Sequence, residues 1–129
     1  MAQHIGHILW ADLTVPDADK VKDFYAEVVG LLPEPLDMGG YSDYMMKADG
    51  EAPAPGGAVG VCHARGGNAD LPAQWLLYFG VADLDKSLEA VDRLGGKRRS
   101  AIKSYGDDRY CAIEDPAGAV CAIFEKKGA

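Results

Sequence analysis

Cysteine, positive charge and long apolar runs are all scarce in this chain, and each shortage closes off a class of protein. Three cysteines occur among 129 residues, Cys62, Cys111 and Cys121. An odd, widely spaced set suits neither a disulfide scaffold nor a Cys-x-x-Cys metal site, so reduced, inert thiols and a cytoplasmic setting are expected. No apolar run approaches the ~20 residues of a membrane span. The start, Met1-Ala2-Gln3-His4, lacks the basic residues and apolar stretch of a signal peptide. Thirteen Lys and Arg against twenty Asp and Glu give a net charge of −7, which disfavours nucleic acid and anionic membranes as partners.

Common chemical motifs are missing too. There is no G-x-S-x-G elbow, P-loop or dinucleotide-binding glycine pattern. Gly56-Gly57 and Gly66-Gly67 lie in polar loops rather than between a strand and a helix, and read as turn glycines. His4 and His7 form the one close histidine pair, without a carboxylate neighbour. His63 follows Cys62 on a strand, so the two side chains point to opposite faces and cannot chelate together; His63 reads as a surface or interface residue. The basic run Lys97-Arg98-Arg99 follows a helix end, where it suits the helix dipole and solvent. No cofactor is expected from these groups.

What is present is a repeat. Val15-Pro16-Asp17-Ala18-Asp19-Lys20 returns 66 residues later as Val81-Ala82-Asp83-Leu84-Asp85-Lys86, and the same offset pairs Gly30 with Gly96 and Asp49 with Asp115. Each copy begins with an apolar strand, residues 7–15 and 75–81. Asp17 and Asp83 then read as helix N-caps. Val21, Phe24, Tyr25 and Val28 mark the buried stripe of the first helix, and Leu84, Leu88, Val91 and Leu94 that of the second. Pro33, Pro35 and Gly39-Gly40 signal a loop with at most a weak strand near Pro35. Strands follow over 41–48 and 58–64, joined by a Gly- and Pro-rich connection over 49–57. The linker between the copies is read over 65–72, and strands then run over 97–103, 109–114 and 119–125.

Asp115-Pro116-Ala117-Gly118 fits a type I turn with Gly118 left-handed, which would pair Asp115 with Ala119, Ala112 with Ala122 and Tyr110 with Phe124. Alternation then sets Tyr110, Ala112, Val120, Ala122 and Phe124 on one face. Cys111, Ile113, Cys121 and Ile123 take the other, small and uniformly apolar, which is expected beneath the helix.

These segments resemble the vicinal oxygen chelate superfamily, which includes glyoxalase I, extradiol dioxygenases and bleomycin-resistance proteins. The resemblance rests on TVPD and FYAEVVGL in the first copy, and on VADLDKSLEAVDRLGG and EDPAGAVCAIF in the second. W-x-D-L-T-V-P-D and the Pro-x-x-Trp at 72–75 are similar to a glyoxalase-like branch of it. The implied fold is α+β, with two tandem βαβββ modules forming curled mixed sheets around a cleft and helices outside. Module 1 would cover about residues 5–65 and module 2 about 73–127 of one domain spanning 1–129. The resemblance also implies a divalent metal held between modules by His, Gln or Glu from their first and last strands. Those ligand positions fall on Trp10 and Leu76, and on Gly60 and Ala122. The catalytic tyrosine of the dioxygenase branch falls on Ala112. None of these side chains offers a lone pair to a cation, so no metal is expected.

The side chains expected to face the cleft are Trp10, Asp12, Tyr44, Met46, Leu76, Tyr78, Tyr110 and Phe124. Such an aromatic lining suits a small apolar or aromatic molecule, unless the same side chains simply fill the space as core. The resulting expectation is a metal-free, glyoxalase/bleomycin-resistance-like binding protein, assembled as a homodimer. The alternative is an enzyme of the same superfamily, of lyase or dioxygenase type, that uses non-standard residues. Asp12 or a tyrosine would then be its acid–base group.

Overall fold

Asp17 and Asp83, the repeated aspartates, do cap helices: their side chains accept from the amides of Lys20 and Lys86, each at 3.1 Å. A computed structural model describes residues 5–48 and 58–127. His4, Asp49, Gly56-Gly57 and the whole 49–57 connection lie outside the described residues. The fold is α+β, built from mixed sheets and two α-helices. The chain divides into two compact units, Trp10–Trp75 and the residues up to Leu9 together with those from Leu76 onward.

In the Trp10–Trp75 unit, β1 (Ile8–Val15) leads to α1 (Ala18–Val29), then β2 (Leu32–Asp37), β3 (Ser42–Lys47) and β4 (Ala58–His63), followed by a 3-10 turn over Gly66–Asn68. The strands lie in the order β2-β3-β4-β1, with β1 parallel to β4 and the other pairs antiparallel. β2 is a full strand despite its two prolines. Pro33 and Pro35 stand two residues apart, so both missing N–H groups face the outer edge while Leu32, Glu34 and Leu36 complete the ladder with β3. One face of the sheet packs under α1 through Leu13, Val15, Tyr44, Met46 and Val61, against Ala18, Val21, Tyr25 and Ala26 of the helix. Trp75 closes the unit, its indole N–H donating to the Tyr25 hydroxyl at 3.1 Å. The expected helix stripe is only half right: Phe24 and Val28 are 57% and 62% exposed. The packed face is rotated toward Ala18, Val21 and Ala26.

The other unit contains β5 (Trp75–Val81, from Leu76 onward), α2 (Leu84–Arg93), β6 (Lys97–Arg98), β7 (Lys103–Tyr105), β8 (Asp108–Glu114) and β9 (Val120–Glu125). β5 runs parallel to β9, β8 is antiparallel to β9, and both β6 and β7 pair with β8. The strand expected over 97–103 is therefore broken. Arg98 pairs with Ile113 but Lys103 pairs with Tyr110, so two extra residues loop out. Ser100 bridges the break, its hydroxyl accepting from the Ala112 amide at 3.0 Å. Leu84 and Leu88 of α2 pack on Cys111 and Ile123, with Val81 and Ile113 beside them. Leu94, counted in the stripe from sequence, is the C-cap and is exposed.

Candidate functional site

The turn at Asp115 sets the register of the ring-bearing face. Gly118 takes φ 92°, a left-handed conformation open to glycine. The Asp115 carboxylate accepts from the amides of Ala117 and Ala119 at 2.8 and 3.0 Å, and the Asp115 amide donates to Ala119 O. The ladder that follows pairs Ala112 with Ala122 and Tyr110 with Phe124, as the turn chemistry predicts. Tyr78 lies opposite Ala122 from the other side. Leu76, Tyr78, Tyr110 and Phe124 thus share the face that α2 does not cover. The Tyr110 and Phe124 rings stack at 5.9 Å with planes 14° apart, and Tyr78 tilts against Tyr110 at 5.7 Å.

In the Trp10–Trp75 unit the face turned away from α1 carries Trp10 and Asp12 of β1. Asp12 pairs with Gly60, Gly60 with Met45, and Met45 with Glu34, one row across four strands. Tyr44 and Met46 are not in it. They lie beneath α1, so their expected place beside Trp10 and Asp12 is corrected. Met45 is the residue sequence reasoning missed. Met45 pairs with Gly60 as Ala112 pairs with Ala122, which makes Met45 and Ala112 counterparts 67 residues apart. The helices repeat at 66. One residue has entered the spacing between helix and third strand, and a one-residue shift exchanges the faces of a strand.

Tyr44 has a structural environment. Its hydroxyl donates to Asp19 on α1, and the Lys22 ammonium lies 5.0 Å from its ring centre. The Asp19 hydrogen bond, burial and the neighbouring carboxylates of Asp19, Asp23 and Asp43 push its phenol up to about 12, too high for acid–base work near neutrality. His63 is also more enclosed than a surface residue, with its side chain 12% exposed. Its amide donates to Asp43 at 2.8 Å, and its ring lies 3.4 Å from Asp43 and 3.8 Å from Asp19.

The metal positions implied by the resemblance do lie on these faces, Trp10 with Gly60 in one unit and Leu76 with Ala122 in the other. Indole, hydrogen, isobutyl and methyl groups do not fit a divalent cation, which needs oxygen, nitrogen or thiolate donors. Among the described residues, no group of three or more His, Cys, Asp and Glu is placed to hold a metal. Other polar groups serve the fold. Arg98 pairs with Asp92 and Arg99 with Glu114, both at 2.8 Å. Glu125 accepts from the Leu84 amide at 2.7 Å and from Arg109 at 3.0 Å, and these donors hold its carboxyl below the usual range. Burial, then the Asp115 carboxylate, pushes the Cys121 thiol up, which disfavours a reactive thiolate.

The family described as Glyoxalase/Bleomycin resistance protein/Dioxygenase superfamily matches residues 4–123. "Putative glyoxylase CFP32" of Mycobacterium tuberculosis (strain CDC 1551 / Oshkosh) is 26% identical over 128 residues, covering 97% of this chain and 46% of that protein. "Anthracycline biosynthesis protein DnrV" of Streptomyces peucetius is 28% identical over 131 residues, covering 94% of this chain and 47% of that protein. The chain thus spans just under half the length of these curated relatives. A solved superfamily member from Vibrio splendidus 12B01 shares the fold with a TM-score of 0.58 at 13% identity, covering 91% of this chain and 97% of that one.

Proposed function

The chain belongs to the glyoxalase/bleomycin resistance protein/dioxygenase superfamily, and on that premise we propose that it binds a small, flat, apolar or aromatic molecule without a divalent metal. The observation that carries this reading is the ring array of Tyr78, Tyr110 and Phe124 on the face of the sheet that α2 leaves uncovered. Tyr110 and Phe124, both half-buried, would present ring surface to a planar guest, with the buried Tyr78 backing them. Replacement of all four metal-ligand positions by groups without suitable donors supports the metal-free part. The name of DnrV ties that relative to anthracyclines, which are fused-ring aromatic compounds, and this supports a flat ligand here.

Two measurements on protein purified without a polyhistidine tag test the reading. Titration with a planar anthraquinone, followed by tryptophan fluorescence, should give saturable quenching that Tyr110→Ala weakens at least tenfold. Elemental analysis should find zinc, nickel, manganese and iron all well below one per chain. No saturable binding, or one equivalent of any of these metals, would sink it.

The enzyme alternative draws on Asp12, a half-buried carboxylate in the same unit face as Trp10. If the protein turns its ligand over, Asp12→Asn should abolish product formation while leaving binding within about threefold. Parallel loss of binding and turnover would remove Asp12 from a catalytic role.

A further inference from the structure

Phe24 and Val28 are large apolar side chains that α1 holds out in solvent. Four residues apart, they stand one turn above each other and form a continuous ridge. The Phe24 ring meets Tyr25 edge to face at 5.1 Å, and Tyr25 meets Trp75 in the same way. Packed rings therefore brace the ridge against its unit. An exposed aromatic side chain on a rigid element suits the centre of a protein contact.

The charges beside the ridge indicate what covers it. Lys20 and Glu27 are both exposed. Seven residues is close to two turns, so they lie on one side of α1, about 10 Å apart along its axis. Neither makes an ion pair among the described residues, whereas Asp23 is taken by Lys22 at 2.7 Å. The midpoint between Lys20 and Glu27 falls beside Phe24. A second α1, turned end for end about that point, sets each Lys20 opposite the other copy's Glu27. The two Phe24 rings then meet at the centre, and each Val28 lies along the aliphatic stem of the other copy's Lys20.

The second helix provides an internal contrast. At the 66-residue offset, Lys20 and Glu27 become Lys86 and Arg93, and Phe24 becomes Ala90. The same two-fold pairing of α2 would bring cation onto cation around a methyl group. The α1 surface is complementary to itself, and its counterpart repels itself. We propose that the face of α1 carrying Lys20, Phe24, Glu27 and Val28 docks a second copy of this chain, antiparallel about a two-fold axis beside Phe24. The small-molecule reading concerns the sheet faces away from the helices and is independent of this contact. A single helix pair buries little area, and interfaces under about 1,200 Å² are weak, so association is expected at about 10–100 µM. Unfolding measured well below that concentration does not sense the contact.

Sedimentation equilibrium of the whole chain over about 5–500 µM tests it. The parent should pass from monomer to dimer, and Phe24→Glu should stay monomeric with an unchanged circular dichroism spectrum. Lys20→Glu and Glu27→Lys should each weaken the dimer about tenfold, because like charges then face each other at both ends. Each substitution suits the helix dipole at its own end, so the fold is kept. Made together, they exchange the two charges and should restore the parent dissociation constant to within about threefold. Lys86→Glu, on α2, should leave it unchanged. A parent that stays monomeric throughout, or a dimer that survives Phe24→Glu, would overturn the docking surface. A combined variant no tighter than the single ones would overturn the antiparallel pairing.

Discussion

Each unit fills the gap between its own helix and its own sheet, but not with the same layer's side chains. Under α2 the helix brings Leu84 and Leu88 onto a sheet face of Cys111, Ile113 and Ile123. Under α1 the sheet brings Tyr44 and Met46 toward a helix face of Ala18, Val21, Tyr25 and Ala26. In the repeat, Ala18 stands for Leu84 and Lys22 for Leu88. A duplicated fold preserves the distance between layers and the capping of its helices, but not which layer supplies the side chains. The faces away from the helices have diverged further, into three rings in one unit and an indole beside a carboxylate in the other.

Removing the enclosed side chains of each unit should have the largest effect. Leu88→Ala and Met46→Ala should each cost about 3 kcal/mol in denaturant unfolding, since both side chains are fully enclosed. Lys22→Ala, at the position equivalent to Leu88, should cost under about 1 kcal/mol. A similar loss at Lys22 would show that the helices pack alike after all. Next in size are the caps. Asp17→Ala and Asp83→Ala should each lower stability by about 1 kcal/mol, because both aspartates make the same bond to the third residue beyond them. Strongly unequal losses in the two variants would mean that the shared motif is no longer equivalent in the two units.

A pH comparison separates the units further. The folded chain holds the Tyr44 proton more tightly than an unfolded one, with its phenol near 12 against an ordinary 10. The stability this supplies is complete below pH about 10 and is lost as the pH rises toward 12. Glu125 has the opposite sign: its carboxyl is held low by the Leu84 amide and Arg109. Its contribution is present above the ordinary carboxylate range and is lost as the pH falls through it. Ultraviolet titration should show a tyrosine that ionises near pH 12, and Tyr44→Phe should remove it. A Tyr44→Phe spectrum unchanged above pH 11 would contradict the Asp19 bond. The smallest effect is expected at Phe24, whose side chain is largely exposed. Phe24→Ala should change the unfolding free energy by less than about 0.5 kcal/mol, and a larger loss would mean the packed stripe of α1 is wider than described.

Much of the architecture was legible in the residues. The Asp caps, the order of elements and the whole β8–β9 register followed from local chemistry, because a type I turn with glycine at its left-handed position admits few pairings. The ring array of Tyr78, Tyr110 and Phe124 was legible for the same reason. What was not legible depended on contacts between distant segments. Two prolines concealed β2, since their tolerance depends on which side of the strand faces an outer edge. Phe24 and Val28 satisfy helical periodicity, but the face that α1 turns to the sheet is centred on Ala18, Val21, Tyr25 and Ala26 instead. Ser100 conceals a break in a strand by lending its hydroxyl to the Ala112 amide. Tyr44 and Met46 take the face opposite to the one that the 66-residue offset implies, because that offset does not hold past the helix.

That slip of one residue reaches beyond this chain. In a strand, a single insertion upstream turns every inward side chain outward at once, whereas a point substitution changes one. A gene duplicated into two half-domains can therefore exchange the entire lining of one wall in one mutational event, with the layer spacing and caps left intact. Ligand repertoires in such folds could change by indel as readily as by gradual replacement. Two halves that align well by sequence need not present corresponding residues to the same guest.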